Sequence, residues 1–260
     1  MRLILTILLG FMTILLAGCN TSEVQDGAPN IAIDVSKIHN AVPRYLPKSR
    51  YGNPQSYVVL GHRYFVLPTA HGYNKRGIAS WYGTKFHGQL TSTRKPYNMF
   101  AMTAASPTLP IPCFVRVTNL ENGLSVIVKV NDRGPFAPNR ILDMSYAAAK
   151  KLGYEKKGTA LVQVTAITER NPNEPAPIHM KKKPKLYLQI GAFSNYAYAE
   201  RLKNKLRHLT SKPIRIHTTQ GLHHPWYKVQ IGPLIGVGES DSLVNMLVHR
   251  GYGDATTIIG

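Results

Sequence analysis

Asn131-Asp132-Arg133-Gly134-Pro135-Phe136, followed by Arg140-Ile141-Leu142-Asp143-Met144-Ser145-Tyr146-Ala147-Ala148, is the stretch on which the reading of this chain turns. It leaves an apolar run, Val126-Ile127-Val128-Lys129-Val130, whose β-branched residues suit a strand. Gly134 and Pro135 break regular structure and leave Asp132 and Arg133 on a loop, where functional groups are commonly displayed. Ser145 can cap a helix, residues 146–152 follow a helical period, and Gly153 ends it. Upstream, Phe114-Val115-Arg116-Val117 reads as a strand, joined to the run at 126–130 through Glu121-Asn122-Gly123, a turn signal. Downstream, residues 160–167 alternate well enough for another strand. Many short strands with a single helix, over 76–168, predict a small β-barrel.

The barrel region is bracketed by segments of other character. Residues 169–185 carry Asn-Pro-Asn-Glu-Pro-Ala-Pro and then Lys181-Lys182-Lys183-Pro184-Lys185, a linker kept extended by proline and like-charge repulsion. Residues 186–260 contain a repeat: Leu186-Tyr187-Leu188-Gln189-Ile190-Gly191 matches Tyr227-Lys228-Val229-Gln230-Ile231-Gly232. Each run precedes a helical segment (195–209, with Ser194 as cap, and 239–250) and then a β-like run (214–218 and 256–259). The order β-α-β-β-α-β is ferredoxin-like.

Ahead of the barrel, Arg2 and an uncharged, mostly apolar run over 3–17 read as a secretory signal, too short to span a bilayer comfortably. The signal, residues 1–18, ends in Leu16-Ala17-Gly18-Cys19, a pattern that resembles the bacterial lipobox and makes Cys19 the lipidation site. Asn20, by analogy with lipoprotein sorting, favours the outer membrane. Residues 19–75 then read as a lipidated tether ending in a short hairpin, Tyr57-Val58-Val59-Leu60 and Tyr64-Phe65-Val66-Leu67. With Cys19 lipidated, Cys113 is the only free thiol, so no internal disulfide forms. No Cys/His spacing makes a metal site, and no cofactor is expected. The formal charge is +19, and +18 once residues 1–18 and Arg2 are removed. Such a surface attracts polyanions. Export sets nucleic acid aside and leaves lipid head groups and the cell wall.

Gly77-Ile78-Ala79-Ser80-Trp81-Tyr82-Gly83, Phe86-His87-Gly88 and the opening stretch together resemble the rare lipoprotein A family in order and spacing. The resemblance implies a double-psi β-barrel followed by a ferredoxin-like SPOR domain, a mainly β plus α+β chain. It also implies a peptidoglycan lytic transglycosylase preferring glycan strands without stem peptides, concentrated at the division septum, with divisome proteins as further partners.

The chemistry can be stated independently. A lytic transglycosylase protonates the leaving glycosidic oxygen and removes the proton of the muramic C6 hydroxyl, which attacks C1 and closes a 1,6-anhydro ring. One carboxyl can serve as acid and then as base. Between 76 and 168 the carboxyls are Glu121, Asp132, Asp143 and Glu155. Glu121 sits in a turn and Glu155 in a Lys-rich stretch. The resemblance makes Asp132, beside Gly134-Pro135, the leading acid, with a loop-stabilising contact as the alternative. Asp143, ahead of the helix, supports it or satisfies helical N–H groups. The resemblance places a Glu at Lys95 and a His at Ser106 in active members, so two ionisable groups are replaced. A lysine ammonium within ~4–6 Å of Asp132 would favour the carboxylate and starve acid catalysis. Trp81 and Tyr82 can stack on sugar while Asn131 and Arg133 donate hydrogen bonds, although Trp81 suits a core equally well. In the C-terminal domain Gln189, Phe193, Trp226, Tyr227 and Gln230 are glycan-face candidates, about half of which strand alternation turns inward. Two functions follow: a weak or altered transglycosylase, or a degenerate barrel that recognises glycan as a scaffold.

Overall fold

The computed structural model describes residues 26–167, 183–222, 224–253 and 255–260. The signal, Cys19 and residues 168–182 lie outside the described residues. A hairpin of β1 (Ser56–Val59) and β2 (His62–Phe65) precedes a closed barrel of six strands. These are β3 (Asn74–Tyr82), β4 (Thr103–Ala105), β5 (Cys113–Asn119), β6 (Ser125–Asp132), β7 (Arg140–Ser145) and β8 (Ala160–Ile167). Around the barrel the order is β3-β7-β4-β6-β5-β8, with β3 parallel to β7 and β4 parallel to β6. Alternate residues fill the interior: Val126, Val128 and Val130 from β6, Val115 and Val117 from β5, Leu142 and Met144 from β7. The barrel is therefore a packed core, and chemistry is confined to its rim. Helix α1 (Tyr146–Lys151) starts at Ser145, whose Oγ accepts the Ala148 N–H at 3.2 Å, and Gly153 follows it at φ +74°.

Residues 26–55, expected as part of a free tether, instead lie along the barrel. Ala41 N–H donates to the Ile127 carbonyl and Ser49 N–H to the Ile111 carbonyl, both at 3.0 Å. Ile38 and Ala41 pack against the barrel core, and the Lys150 ammonium meets the Ile33 carbonyl at 3.1 Å. The segment shows no apolar period because it needs none: isolated residues fill gaps that the barrel provides. Its first described residue, Asp26, accepts the Gly83 N–H at 3.0 Å and the Lys85 N–H at 3.1 Å. A Cβ at Gly83 would lie 2.0 Å from the Gly27 carbonyl oxygen, so only glycine lets the two backbones approach.

The C-terminal unit is a four-stranded antiparallel sheet in the order β10-β11-β9-β12, from β9 (Leu186–Phe193), β10 (Ile214–Gln220), β11 (Pro225–Leu234) and β12 (Thr256–Ile259). Helices α2 (Tyr196–Leu206) and α3 (Val237–His249) cover one face, burying Ala199, Leu206, Leu243 and Leu247 against Leu188, Val229 and Ile231. The α2 cap is Asn195, whose Oδ1 accepts the Ala197 N–H at 2.8 Å, rather than the expected Ser194. The two units share a seam. Ile78, Leu120 and Leu161 of the barrel pack with Leu186, Leu234 and Val237. Arg140 grips Asp241 of α3 through Nη1···Oδ1 at 3.0 Å and Nη2···Oδ2 at 2.6 Å.

Candidate active site

Strand β4 lies between β6 and β7, and its last residue, Ala105, pairs with Asp132 on one side and Asp143 on the other. Two strand spacings, roughly 10 Å, separate the aspartate backbones. Asp132 stands at the end of β6 in an open groove of about 390 Å³ lined by Tyr51, Gly52, Leu90, Thr91, Ser92 and Arg94. Its Oδ1 accepts the Ser92 N–H and the Ser92 hydroxyl, both at 2.7 Å, and the Arg133 N–H at 2.8 Å. Three donors on one oxygen fix the carboxyl's orientation and make that oxygen an acceptor.

Asp143 has a different environment. Burial pushes its carboxyl up to about 6, opposed by a short hydrogen bond from the Ser80 hydroxyl to Oδ1 and by the Arg140 charge, and reinforced by Asp26 and Asp132. It therefore holds a proton closer to neutrality than an ordinary aspartate does. Ser145 performs the helix capping for which Asp143 was a candidate. Gly134, at φ +126°, lies against Asp143: a Cβ there would stand 4.0 Å from Asp143 Oδ2, in ordinary van der Waals contact.

The two substituted positions add no ionisable partner. Ser106 is fully buried, and its Oγ accepts the Leu109 N–H at 3.2 Å, so it braces its own loop. Its N–H donates to the Asp132 carbonyl at 3.0 Å. Lys95 is exposed and, among the described residues, makes no ion pair with Asp132. The expected starving of acid catalysis by its ammonium therefore has no ion pair behind it. Burial pushes the Cys113 thiol up to about 12, so it favours the neutral thiol.

Three of the expected sugar contacts have other duties, and the fourth, Asn131, is buried. Trp81 donates Nε1–H to the Glu155 carbonyl at 3.0 Å and packs edge-on against Tyr146. Tyr82 is buried and stacked on Tyr97, ring centroids 4.0 Å apart. Arg133 is a clamp rather than a glycan donor: Nε binds the Gly52 carbonyl at 2.7 Å, Nη1 the Ser106 carbonyl at 3.0 Å and the Leu109 carbonyl at 2.5 Å, and Nη2 the Asn53 Oδ1 at 3.1 Å. The groove aromatic is instead Tyr51, supplied from outside the barrel strands. Tyr51, Ser92 and Arg94 sit in irregular segments with no periodic pattern, so nothing local marks them.

In the C-terminal sheet, Phe193 and Tyr227 pack on the helix side, against the core. Gln189 and Gln230 are cross-strand partners on the opposite face, joined Nε2···Oε1 at 3.4 Å, with Gln230 buried and Gln189 half-buried. Arg215 joins that face, donating Nε–H to Gln230 Oε1 at 3.0 Å and lying 3.6 Å from the Tyr187 ring centroid. Trp226, on the same alternation as Gln230, is exposed. That face presents exposed Arg215 and Trp226 and half-buried Gln189, while Gln230 and Tyr187 are buried beneath them.

A family model described as lytic transglycolase matches residues 74–164, and a SPOR domain model matches residues 182–256. The endolytic peptidoglycan transglycosylase RlpA of Pseudomonas aeruginosa (strain UCBPP-PA14) is 37% identical, with 96% of this chain and 94% of the relative covered. The chain belongs to the RlpA family. An RlpA of the same name from Vibrio cholerae is 36% identical over 94% of this chain and 93% of the relative. The crystal structure of the RlpA SPOR domain from Pseudomonas aeruginosa is 32% identical and covers 28% of this chain and 96% of that one, with a TM-score of 0.27. Within the RlpA family frame the six-stranded unit is the double-psi β-barrel and residues 186–260 form the SPOR domain.

Proposed function

We propose that this chain is an envelope protein that binds peptidoglycan through its SPOR domain and cleaves glycan strands lacking stem peptides through its barrel, by lytic transglycosylation. The observation that carries the reading is the placement of Asp132 and Asp143 on either side of Ala105, one in an open groove and one buried with a raised pKa. Asp143, protonated up to about pH 6, delivers its proton to the leaving glycosidic oxygen. Asp132, held as an acceptor by Ser92, takes the proton of the muramic C6 hydroxyl. O6 attacks C1, the bond to the leaving sugar breaks, and no water is consumed. This division moves the acid role from Asp132, the leading acid on sequence, to Asp143.

The same reading includes lipid on Cys19, an outer-membrane anchor facing the periplasm, and enrichment at the septum. Only six residues lie between Cys19 and Asp26, the start of the barrel strap, and the seven Cα–Cα steps span about 25 Å at full extension. The barrel would then work close to the membrane, and the SPOR domain with it, since Ile78, Leu120 and Leu161 pack with Leu186, Leu234 and Val237 and Arg140 pairs with Asp241.

One observation favours a second reading, a glycan-binding scaffold. Ser106 is buried and occupied with its own loop, and Lys95 carries no carboxyl, so Asp132 lacks the partners that the resemblance assigns to active members. Digestion of amidase-treated sacculi separates the readings. An enzyme generates 1,6-anhydro ends detectable by mass spectrometry, lost in both Asp132→Asn and Asp143→Asn. A wild-type chain that binds these sacculi and yields no such ends is a scaffold.

A further inference from the structure

Arg94 lines the Asp132 groove, yet among the described residues its guanidinium pairs with no carboxylate, Asp132 included. Its backbone is left-handed, at φ +62°, a conformation that a side-chain-bearing residue adopts only when its surroundings impose it. The loop imposes it here. Thr91 N–H and Oγ–H both donate to the Lys95 carbonyl at 2.9 Å, and Arg94 N–H donates to the Thr91 carbonyl at 2.8 Å. The guanidinium lies 5.5 Å from the ring centroid of Tyr51, which is 49% exposed and lines the same groove. A cation is thus presented on an aromatic platform beside Asp132, with no internal anion to neutralise it.

On a peptidoglycan glycan strand the anion that fits is the lactyl group of muramic acid. Where a stem peptide is attached, the lactyl carboxyl is an amide and carries no charge. Where the peptide has been removed, it is a free carboxylate, one on every second sugar. Guanidinium matches a carboxylate in geometry and charge, and the tyrosine face suits the apolar side of a pyranose. Resting on the glycan-directed reading above, we propose that Arg94, seated on Tyr51, binds the free lactyl carboxylate of a muramic acid in the Asp132 groove. The barrel itself then selects strands without stem peptides, independently of the SPOR domain.

The test follows backbone amides by NMR in the mature full chain, so that groove and SPOR binding are read separately. The probe is a tetrasaccharide of alternating N-acetylglucosamine and N-acetylmuramic acid, as the free acid and as its lactyl N-methylamide, with its integrity checked by mass spectrometry. At the amides of Ser92, Arg94 and Asp132 the free acid should bind about tenfold more tightly than the amide, the worth of one charge-assisted pair. Arg94→Gln should bind both forms equally, Arg94→Lys should recover part of the preference, and Tyr51→Leu should weaken both forms alike. Equal affinity of the wild type for the two forms overturns the proposal, as does an Arg94→Gln protein that keeps the tenfold preference. If no groove amide responds to either form while those of Gln189 and Gln230 do, the glycan reading of the groove has failed and this inference falls with it.

Discussion

Replacing Asp143 by Asn tests the electrostatic core of the site through stability alone. The folded carboxyl titrates near 6, against an ordinary value of 3.8. Between those values the folded chain keeps a proton that the unfolded chain has released. Stability supplied by the neutral carboxyl is therefore complete below the unfolded value and lost as pH rises through the folded one. A gap of about two units, at 1.36 kcal/mol per unit, amounts to about 3 kcal/mol, reduced to ~2 kcal/mol by solvent reaching the carboxyl. Asparagine cannot ionise and still offers Oδ1 to Ser80. Relative to Asp143→Asn, the wild type should lose about 2–3 kcal/mol between pH ~4 and pH ~7.5, while other titrations cancel in the difference. Urea unfolding followed by Trp81 fluorescence reports the barrel, in a Trp226→Phe background that silences the second of the two tryptophans. A wild-type-minus-variant difference constant to within ~0.5 kcal/mol across this range would refute the buried-acid account. Activity should follow the same group, falling above about pH 6 as the proton is lost.

Three further outcomes are expected. Gly83→Ala drives a Cβ into the Gly27 carbonyl, so the strap end should lift, with faster amide exchange at Gly83 and Lys85 and a cost of about 1–3 kcal/mol; unchanged exchange at both amides would show that the strap is not held there. Lys95→Glu, at an exposed position, should leave stability within ~0.5 kcal/mol, whereas Ser106→His should cost about 1–3 kcal/mol by overpacking a fully buried site. The double variant should raise the yield of 1,6-anhydro ends from amidase-treated sacculi, and adding Asp132→Asn should silence it. Cys19→Ser should abolish incorporation of labelled fatty acid at the N-terminus; continued labelling there would sink the lipoprotein reading.

What could be read from the chain alone is what is encoded over a few neighbouring residues. The alternation of Val126, Val128 and Val130, the cap at Ser145, and the Gln-Ile-Gly repeat at 189–191 and 230–232 each have a local cause: side-chain periodicity or capping chemistry. The break at Gly134-Pro135 was legible for the same reason, although Asp132 ends strand β6 rather than lying on the loop. The rest depends on partners far apart in sequence. Asp143 became a raised-pKa carboxyl only through the strand register that sets it beside Ala105 and through Ser80, 63 residues away. Arg133 became a clamp because Gly52 and Asn53, from a segment with no periodic signal, fold back across the barrel. Trp81 left the sugar site for the core because Glu155 offered a buried carbonyl. The sequence marked the runs at 114–117, 126–130 and 160–167 as strands but not 74–82, 103–105 or 140–145, whose pairing barrel closure supplies; closure also decided which side chains meet, because burial, desolvation and long-range hydrogen bonding exist only once distant segments are packed together.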